Sequence, residues 1–324
     1  MGVALGLGAA LSWGLADYFA ALASRRIGAL RVVLGFHLFA LIPLAVLVVA
    51  TDALARVSGG QVAVFVLIGA VGWVSYLAFY AALAIGPISV LSPIVSGYAA
   101  VTVLLAVLFA SNRLSGLQAA AVGITIAGAM LASADVRAIV HAKLERRSAL
   151  GFVLALCAMA LLGAFVFGVS YYRQRIGWLG PIFLARAFAA VFVLGNVLAG
   201  GGVRPPTDPT PEPGAMPEMD VVAAGGGPLA AGGVPVADGT GRGRGWRSLI
   251  ALLMLLALLD TGGYVFFNLG VGHASTAVVA AASAPYAVVP IAMGISLFAE
   301  RPTATQWLGV GCVIVGVIVL GAVT

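Results

Sequence analysis

Apolar residues along the chain fall into runs of about 20, separated by short polar stretches, and a run of that length crosses the hydrocarbon core of a bilayer as one helix. Read this way, the pattern predicts ten spans, at residues 2–23, 32–50, 62–85, 88–110, 114–132, 150–171, 179–199, 249–270, 274–298 and 303–323. The first run begins at Gly2 with no basic segment before it and no small-residue cleavage site after it, which reads as a retained span and not a signal peptide. Residues 201–246 break the pattern: 12 of these 46 residues are Gly and 8 are Pro, and five of the chain's eleven acidic residues lie here. Such a composition reads as a disordered connector.

The second half of the chain repeats the first. At an offset of 149, Gly14, Arg26, Ile27, Gly28, Leu30 and Phe39 meet Gly163, Arg175, Ile176, Gly177, Leu179 and Phe188. An offset of 186 pairs Gly86 with Gly272 and Ser89 with Ser275, and an offset of 188 pairs Arg113, Gln118, Gly123 and Gly128 with Arg301, Gln306, Gly311 and Gly316. Five spans per copy is an odd number, so the second copy enters the membrane from the opposite face. The predicted fold class is therefore all-α integral membrane, with ten transmembrane helices as two inverted five-helix repeats, an architecture of transporters far more than of enzymes. The first repeat is placed at residues 1–133, a polar connector at 134–148, and the second repeat at 149–323, interrupted by the disordered loop 201–246.

The repeat ends "NRLSGLQAAAVGITIAG" and "ERPTATQWLGVGCVIVG" resemble the EamA repeats of the drug/metabolite transporter superfamily, as do "SWGLADYFAALASRRIGALR" in span 1 and "AIGPISVLSPI" at the turn between spans 3 and 4. The resemblance covers nearly the whole chain outside residues 201–246. It implies spans 1–4 and 6–9 around a cavity and spans 5 and 10 as scaffold, which also suits the glycines Gly123, Gly128, Gly309, Gly311, Gly316 and Gly321 on those two. The sequence departs from the family pattern where Asn112 stands opposite Glu300, and in the length of the connector between spans 7 and 8.

Composition narrows the classes. Of 324 residues 62% are hydrophobic and 9% charged, with a mean hydropathy of +1.13, whereas soluble domains carry about a quarter charged residues. Cys157 and Cys312 lie inside apolar runs, and His37, His141 and His273 are far apart, so neither a disulfide framework nor a metal site is implied. No cofactor is expected. The net charge of +6 is spread over loops, which speaks for membrane topology and against nucleic acid. Four basic residues (Arg56, Arg113, Arg173, Arg175) fall on the face holding both termini and twelve on the other, with Arg186 inside a span. That count favours termini outside the cell; the resemblance implies termini inside.

Four ionisable residues lie well within spans: Asp17, His37, Arg186 and Asp260. Each is expensive in hydrocarbon and calls for a partner or a wet cavity. Asp17 is eight residues before Arg25 and His37 six after Arg31, which puts both about 10 Å inside one face, where they could meet. Arg186 is the repeat mate of His37. For Asp17 and Asp260 two roles are open, proton carrier or structural pair, the latter for example Asp260 with Arg186. His37 could relay protons to Asp17 or only satisfy a helix contact. Arg186 could clamp a substrate carboxylate or serve the pair.

Aromatic side chains gather on the same spans: Trp13, Tyr18, Trp73, Tyr76, Tyr80, Tyr98, Tyr264 and Tyr286, with Trp73, Tyr76 and Tyr80 at helical spacing. They could line a cavity or serve as packing and interface anchors. Asn268 is a further polar candidate. Pro93, Pro285 and Pro290 each remove a backbone hydrogen bond inside spans 4 and 9 and are candidate hinges.

These features predict a secondary active transporter in the cell membrane, exporting small amino-acid-like metabolites or drug-like compounds by alternating access, with protons as a candidate coupling ion. Its partners would be a small-molecule substrate and the bilayer. An integral membrane protein without transport activity, structural or enzymatic, is the alternative. A GxSxG, HExxH or phosphate-loop motif would favour an enzyme or a nucleotide-driven pump, and the sequence contains none. An amino acid or other carboxylate would use Arg186, a cation would use Asp17, Asp260 and the aromatic face, and the sequence leaves both open.

Overall fold

The computed structural model describes residues 1–85, 91, 94–111, 113–133, 146–200, 242–289 and 303–323. Among these residues every regular element is helical. We number the helices α1 Gly2–Ile27, α2 Ala29–Thr51, α3 Gly59–Ile85, α4 Tyr98–Phe109, α5 Gly116–Ser133, α6 Arg146–Tyr171, α7 Leu179–Leu198, α8 Arg242–Gly270, α9 Thr276–Ser283 and α10 Ala304–Ala322. A single turn, Arg173–Ile176, precedes α7, and a 3-10 turn, Ala284–Ala287, continues α9.

Among the described residues seven helices (α1, α2, α3, α6, α7, α8 and α10) hold an apolar stretch long enough to cross a membrane. The protein is a multi-pass membrane protein. Among the described residues the apolar helical stretches around α4 and α5 are Ile94–Phe109 and Gly116–Ala132, and α9 has eight residues before its 3-10 turn; the predicted spans 88–110 and 274–298 lie partly outside the described residues. Within the described residues Gly97 makes a turn before α4 and Pro285 opens the 3-10 turn after α9, and each interrupts an α-helical ladder. At the other extreme α8 starts at Arg242, so the last residues of the segment read as connector are helical. An apolar span is already the costly nucleus, and adding a turn to it is cheap.

The burial pattern is that of a protein in hydrocarbon. Ile42, Val46 and Val49 of α2 and Leu308, Val315 and Ile318 of α10 are exposed, while His37, Arg186, Asp260 and Asn268 are buried. Small residues let the backbones close on one another: Ala9, Ala16, Ala20, Ala185 and Ala189 are fully or almost fully buried.

Local motifs recur in both halves. Ser115 and Gln118 cap α5 reciprocally, the Ser115 amide donating to the Gln118 side chain and the Gln118 amide to Ser115 Oγ at 3.0 and 3.2 Å. Thr303 and Gln306, each 188 residues later, cap α10 in the same way. Gly28 and Gly177, offset by 149, both adopt positive φ, 84° and 80°, a conformation that only glycine takes without strain. A Cβ on Gly163 would lie 2.5 Å from Val101 Cβ and 2.7 Å from the Tyr98 carbonyl oxygen, and a Cβ on Gly14 would meet Val289 and the Tyr286 carbonyl in the same manner.

Packing follows the same rule. α1 runs along α8, and α6 along α3; α9 packs on α1, and α4 on α6; α2 contacts α8, and α7 contacts α3. Exchanging helices 1–5 with 6–10 turns each contact into its neighbour in this account. Three further contacts, α2 with α7, α4 with α9 and α5 with α10, map onto themselves.

Candidate functional site

The innermost polar cluster is built where α7 and α8 face α3. Arg186 of α7 and Asp260 of α8 are 2% and 4% exposed, and Arg186 Nη2 donates to Asp260 Oδ2 in a buried ion pair. The Tyr76 hydroxyl of α3 is 3.1 Å from Asp260 Oδ1 and 3.0 Å from the Tyr264 hydroxyl. With one proton to give, Tyr76 serves the carboxylate and accepts from Tyr264. The guanidinium also lies 5.1 Å from the Tyr264 ring centre and 5.8 Å from that of Phe36, within cation–π range. Arg186 Nε and Nη1 are buried without an acceptor among the described residues.

α1 is stitched to α8 beside this cluster. Ser12 Oγ donates to the Leu259 carbonyl at 2.9 Å and Trp13 Nε1 to the Asp260 carbonyl at 3.2 Å. Asp260 thus joins four helices: its side chain takes α7 and α3, and its backbone takes α1.

Beside the cluster is a cavity of about 40 Å³, on a measure in which one water needs roughly 10–15 Å³. Its wall comes in pairs at the repeat offsets. Tyr76 and Tyr264 form one pair and Tyr98 and Tyr286 another; Trp13 stands opposite Leu162 and Asp17 opposite Val166. Phe79 and Asp260 complete it. Trp13 meets Tyr264 and Tyr98 edge-on, at 5.0 and 6.1 Å between ring centres. Tyr98 lies 5.6 Å from Tyr286 and shares a 3.0 Å hydrogen bond with Ser283. Asp17, one helical turn beyond Trp13, borders the cavity and has no hydrogen-bond or ion-pair partner among the described residues.

The other sequence candidates sit off this wall. His37 is fully buried, its Nδ1 2.8 Å from the Val33 carbonyl oxygen. That bond gives Nδ1 the proton, and Nε2 has no partner among the described residues. Its ring packs on Phe36 and edge-on to Tyr76, and no described contact joins it to Asp17. Tyr80 is buried against Phe36 and Tyr76. Trp73 stacks on Phe192, 5.7 Å between centres and 14° between planes, so of the aromatic series on α3 only Tyr76 reaches the cavity. Asn268 Nδ2 donates to the Tyr264 carbonyl at 3.0 Å, holding α8 one turn below the site. Pro285 lies in the 3-10 turn that carries Tyr286; Pro93 and Pro290 lie outside the described residues.

Phe79, Leu162 and Val166 line the cavity without having been singled out from the sequence. Apolar residues carry no chemical signal of their own. The repeat offset does: adding 149 to Trp13 and Asp17 leads to Leu162 and Val166.

Comparisons with known proteins agree with this architecture. The family model of the EamA-like transporter family matches residues 1–134 and 225–322. A solved structure, described only as a crystal structure of a protein, superimposes with a TM-score of 0.68 at 12% sequence identity, over 99% of this chain and 96% of the other. At that identity the likeness speaks for the fold alone. No curated protein matches the sequence.

Proposed function

Since the chain belongs to the EamA-like transporter family, we propose that this membrane transporter is a ten-span secondary exporter of small molecules that works by alternating access around the Trp13, Asp17, Tyr264 and Tyr286 cavity. The observation that carries this reading is the composition of the cavity wall, which draws matching positions from both halves of the chain. A site between two inverted repeats is the one place that rocking of the halves can expose to either face in turn. The paired caps at Ser115 and Thr303, the paired glycines and the exchangeable helix contacts support the inverted repeat.

Rocking needs helices that bend. Gly97 precedes α4 and Pro285 follows α9, and these breaks adjoin Tyr98 and Tyr286 on the cavity wall. Protons supply the driving gradient in this reading, with Asp17 as the carrier. Asp260 is engaged by Arg186 and Tyr76, whereas Asp17 has no hydrogen-bond or ion-pair partner among the described residues and can exchange a proton for another bound species.

The test is reconstitution of the full chain in proteoliposomes under an imposed pH gradient, with tracer flux and charge movement measured for amino acids, other small metabolites and aromatic cations. Gradient-dependent flux that disappears in Asp17→Asn is the expected result. Folded, inserted protein that moves no compound of any class overturns the transporter reading, and flux in Asp17→Asn equal to wild type overturns the assignment of Asp17.

A further inference from the structure

We infer that the protein holds one zwitterionic phospholipid, of the phosphatidylethanolamine class, at a second cavity on the membrane surface, with Arg56 taking the phosphate and Asp52 the ammonium. The inference needs the chain to sit in a bilayer and is independent of what it transports.

This cavity lies between the end of α2 and the start of α7 and measures about 270 Å³. At roughly 10–15 Å³ per water that is room for on the order of 20 waters, and so for a lipid headgroup. Asp52 and Arg56 line it from the segment after α2, and Gly177 and Trp178 from the turn before α7. The apolar stretches of the two helices are Ala29–Thr51 and Leu179–Leu198. Both spans end at the cavity, which places it at headgroup depth. Trp178 is half-buried there, the position in which a tryptophan anchors a membrane protein to the interface.

The charges of the wall define the ligand. Asp52 and Arg56 border the same space, yet they pair neither with each other nor with any other described residue. Asp52 is the C-cap of α2, in the left-handed conformation at φ 48°. Its carboxylate therefore stands at the negative end of a helix dipole, where a cation is favoured and a second negative charge is not. α7 brings its opposite end to the cavity through Trp178 and Leu179. Trp178, its N-cap, makes no side-chain cap bond, so the first amides of α7 reinforce the positive pole that Arg56 supplies. A ligand with one positive and one negative charge answers both poles. A simple anion would leave Asp52 opposed to it, and a simple cation would leave Arg56 opposed.

The source of that ligand follows from what adjoins the cavity. Ile42, Val46 and Val49 of α2 are exposed and lie on one face of the helix, at steps of four and three residues; the next such step reaches Asp52 and Ala53. An acyl chain laid along this stripe carries its headgroup into the cavity. Ethanolamine is the headgroup expected, because its ammonium donates hydrogen bonds to the Asp52 carboxylate, whereas a choline headgroup has no N–H to give.

The test is native mass spectrometry of the delipidated full chain in detergent, titrated with dioleoyl phospholipids bearing ethanolamine, choline or glycerol headgroups. One phosphatidylethanolamine is expected to be retained severalfold more tightly than either of the others. Arg56→Gln should weaken it roughly tenfold or more, and Asp52→Asn should remove the preference for ethanolamine over glycerol. Asparagine tolerates the left-handed conformation at residue 52, so that variant keeps the cap. Arg113→Gln, at an exposed arginine away from the cavity, should bind as wild type does. Absence of a retained lipid, equal retention of the three headgroups, unchanged binding in Arg56→Gln, an intact preference in Asp52→Asn, or a loss in Arg113→Gln equal to that in Arg56→Gln each overturns the inference. Displacement of the lipid by an equal concentration of soluble phosphoethanolamine or inorganic phosphate also overturns it and assigns the cavity to a soluble ligand. Should a variant fail to fold, the ranking of the three headgroups on the wild-type chain decides.

Discussion

The hydroxyls of Tyr76 and Tyr264 meet at 3.0 Å, and the two residues are 188 positions apart, the same spacing that separates Ser115 from Thr303 and Gln118 from Gln306. In the proposed inverted repeat, a residue that touches its own mate lies at the axis exchanging the two halves. On that reading the hydrogen bond lies on the axis, and Asp260 is tied directly to it through Tyr76.

Tyr76→Phe removes the donor to a buried carboxylate and is expected to destabilise the protein by about 1.5–3 kcal/mol; Tyr264→Phe, which loses a bond between neutral groups, by about 0.5–1.5 kcal/mol. A double-mutant cycle read by unfolding in a denaturing detergent checks this. Additive effects would show that the two hydroxyls do not communicate.

Removing one member of the ion pair leaves the other buried and unpaired. Asp260→Asn or Arg186→Gln is expected to lose about 3–5 kcal/mol, and the double variant Arg186→Met with Asp260→Leu to recover most of it. Thermal unfolding in detergent gives the ranking. A double variant as damaged as either single one would mean that the pair does more than neutralise itself.

Glycines at matching positions should respond alike. Gly14→Ala and Gly163→Ala both press a methyl group into the opposing helix and are expected to destabilise by about 1–3 kcal/mol each. Gly123→Ala and Gly311→Ala, which face open space, should be neutral or slightly stabilising. Unfolding midpoints of the four variants test the ranking, and a harmless Gly163→Ala would contradict the close approach of α6 to Tyr98 and Val101.

Trp13 and Trp73 separate cavity from packing. Trp13→Phe deletes the bond to the Asp260 carbonyl and alters the wall, so substrate flux in proteoliposomes should fall severalfold. Trp73→Leu lies outside the cavity and should leave flux near wild type. Equal effects from both would relocate the pathway.

Much of this fold is legible in the sequence because a bilayer accepts only backbones that satisfy themselves, and helices of about 20 apolar residues do so. The runs of α2, α3 and α7 show this directly. What hydropathy does not report is continuity: the helices around Gly97 and Pro285 are interrupted although their residues are apolar. The site is legible in part for a related reason. Residue counting from the loops gives depth, at about 1.5 Å per residue, so Asp17 and His37 come out level with each other. Depth carries no information about rotation, and His37 turns to Phe36 and Tyr76 while Asp17 turns to the cavity. Arg186 and Asp260 are offered by the sequence as one pairing among several, and the side-chain geometry selects it.

The wall of the cavity is paired in its tyrosines and unpaired at Asp17, which faces its mate position at Val166. Two identical five-helix subunits could not achieve this. Any residue such a dimer encodes is present twice, so one carboxylate on the wall would bring a second across the axis, and two like charges in a small dry space oppose each other's ionisation. Joining the halves in one chain frees each position to diverge from its mate. Asp260 stands where the first half has Gly72, Arg186 where it has His37, and Asp17 where the second half has Val166. Covalent linkage thereby lets a site whose residues symmetry would hold to matching pairs carry residues that have no mate.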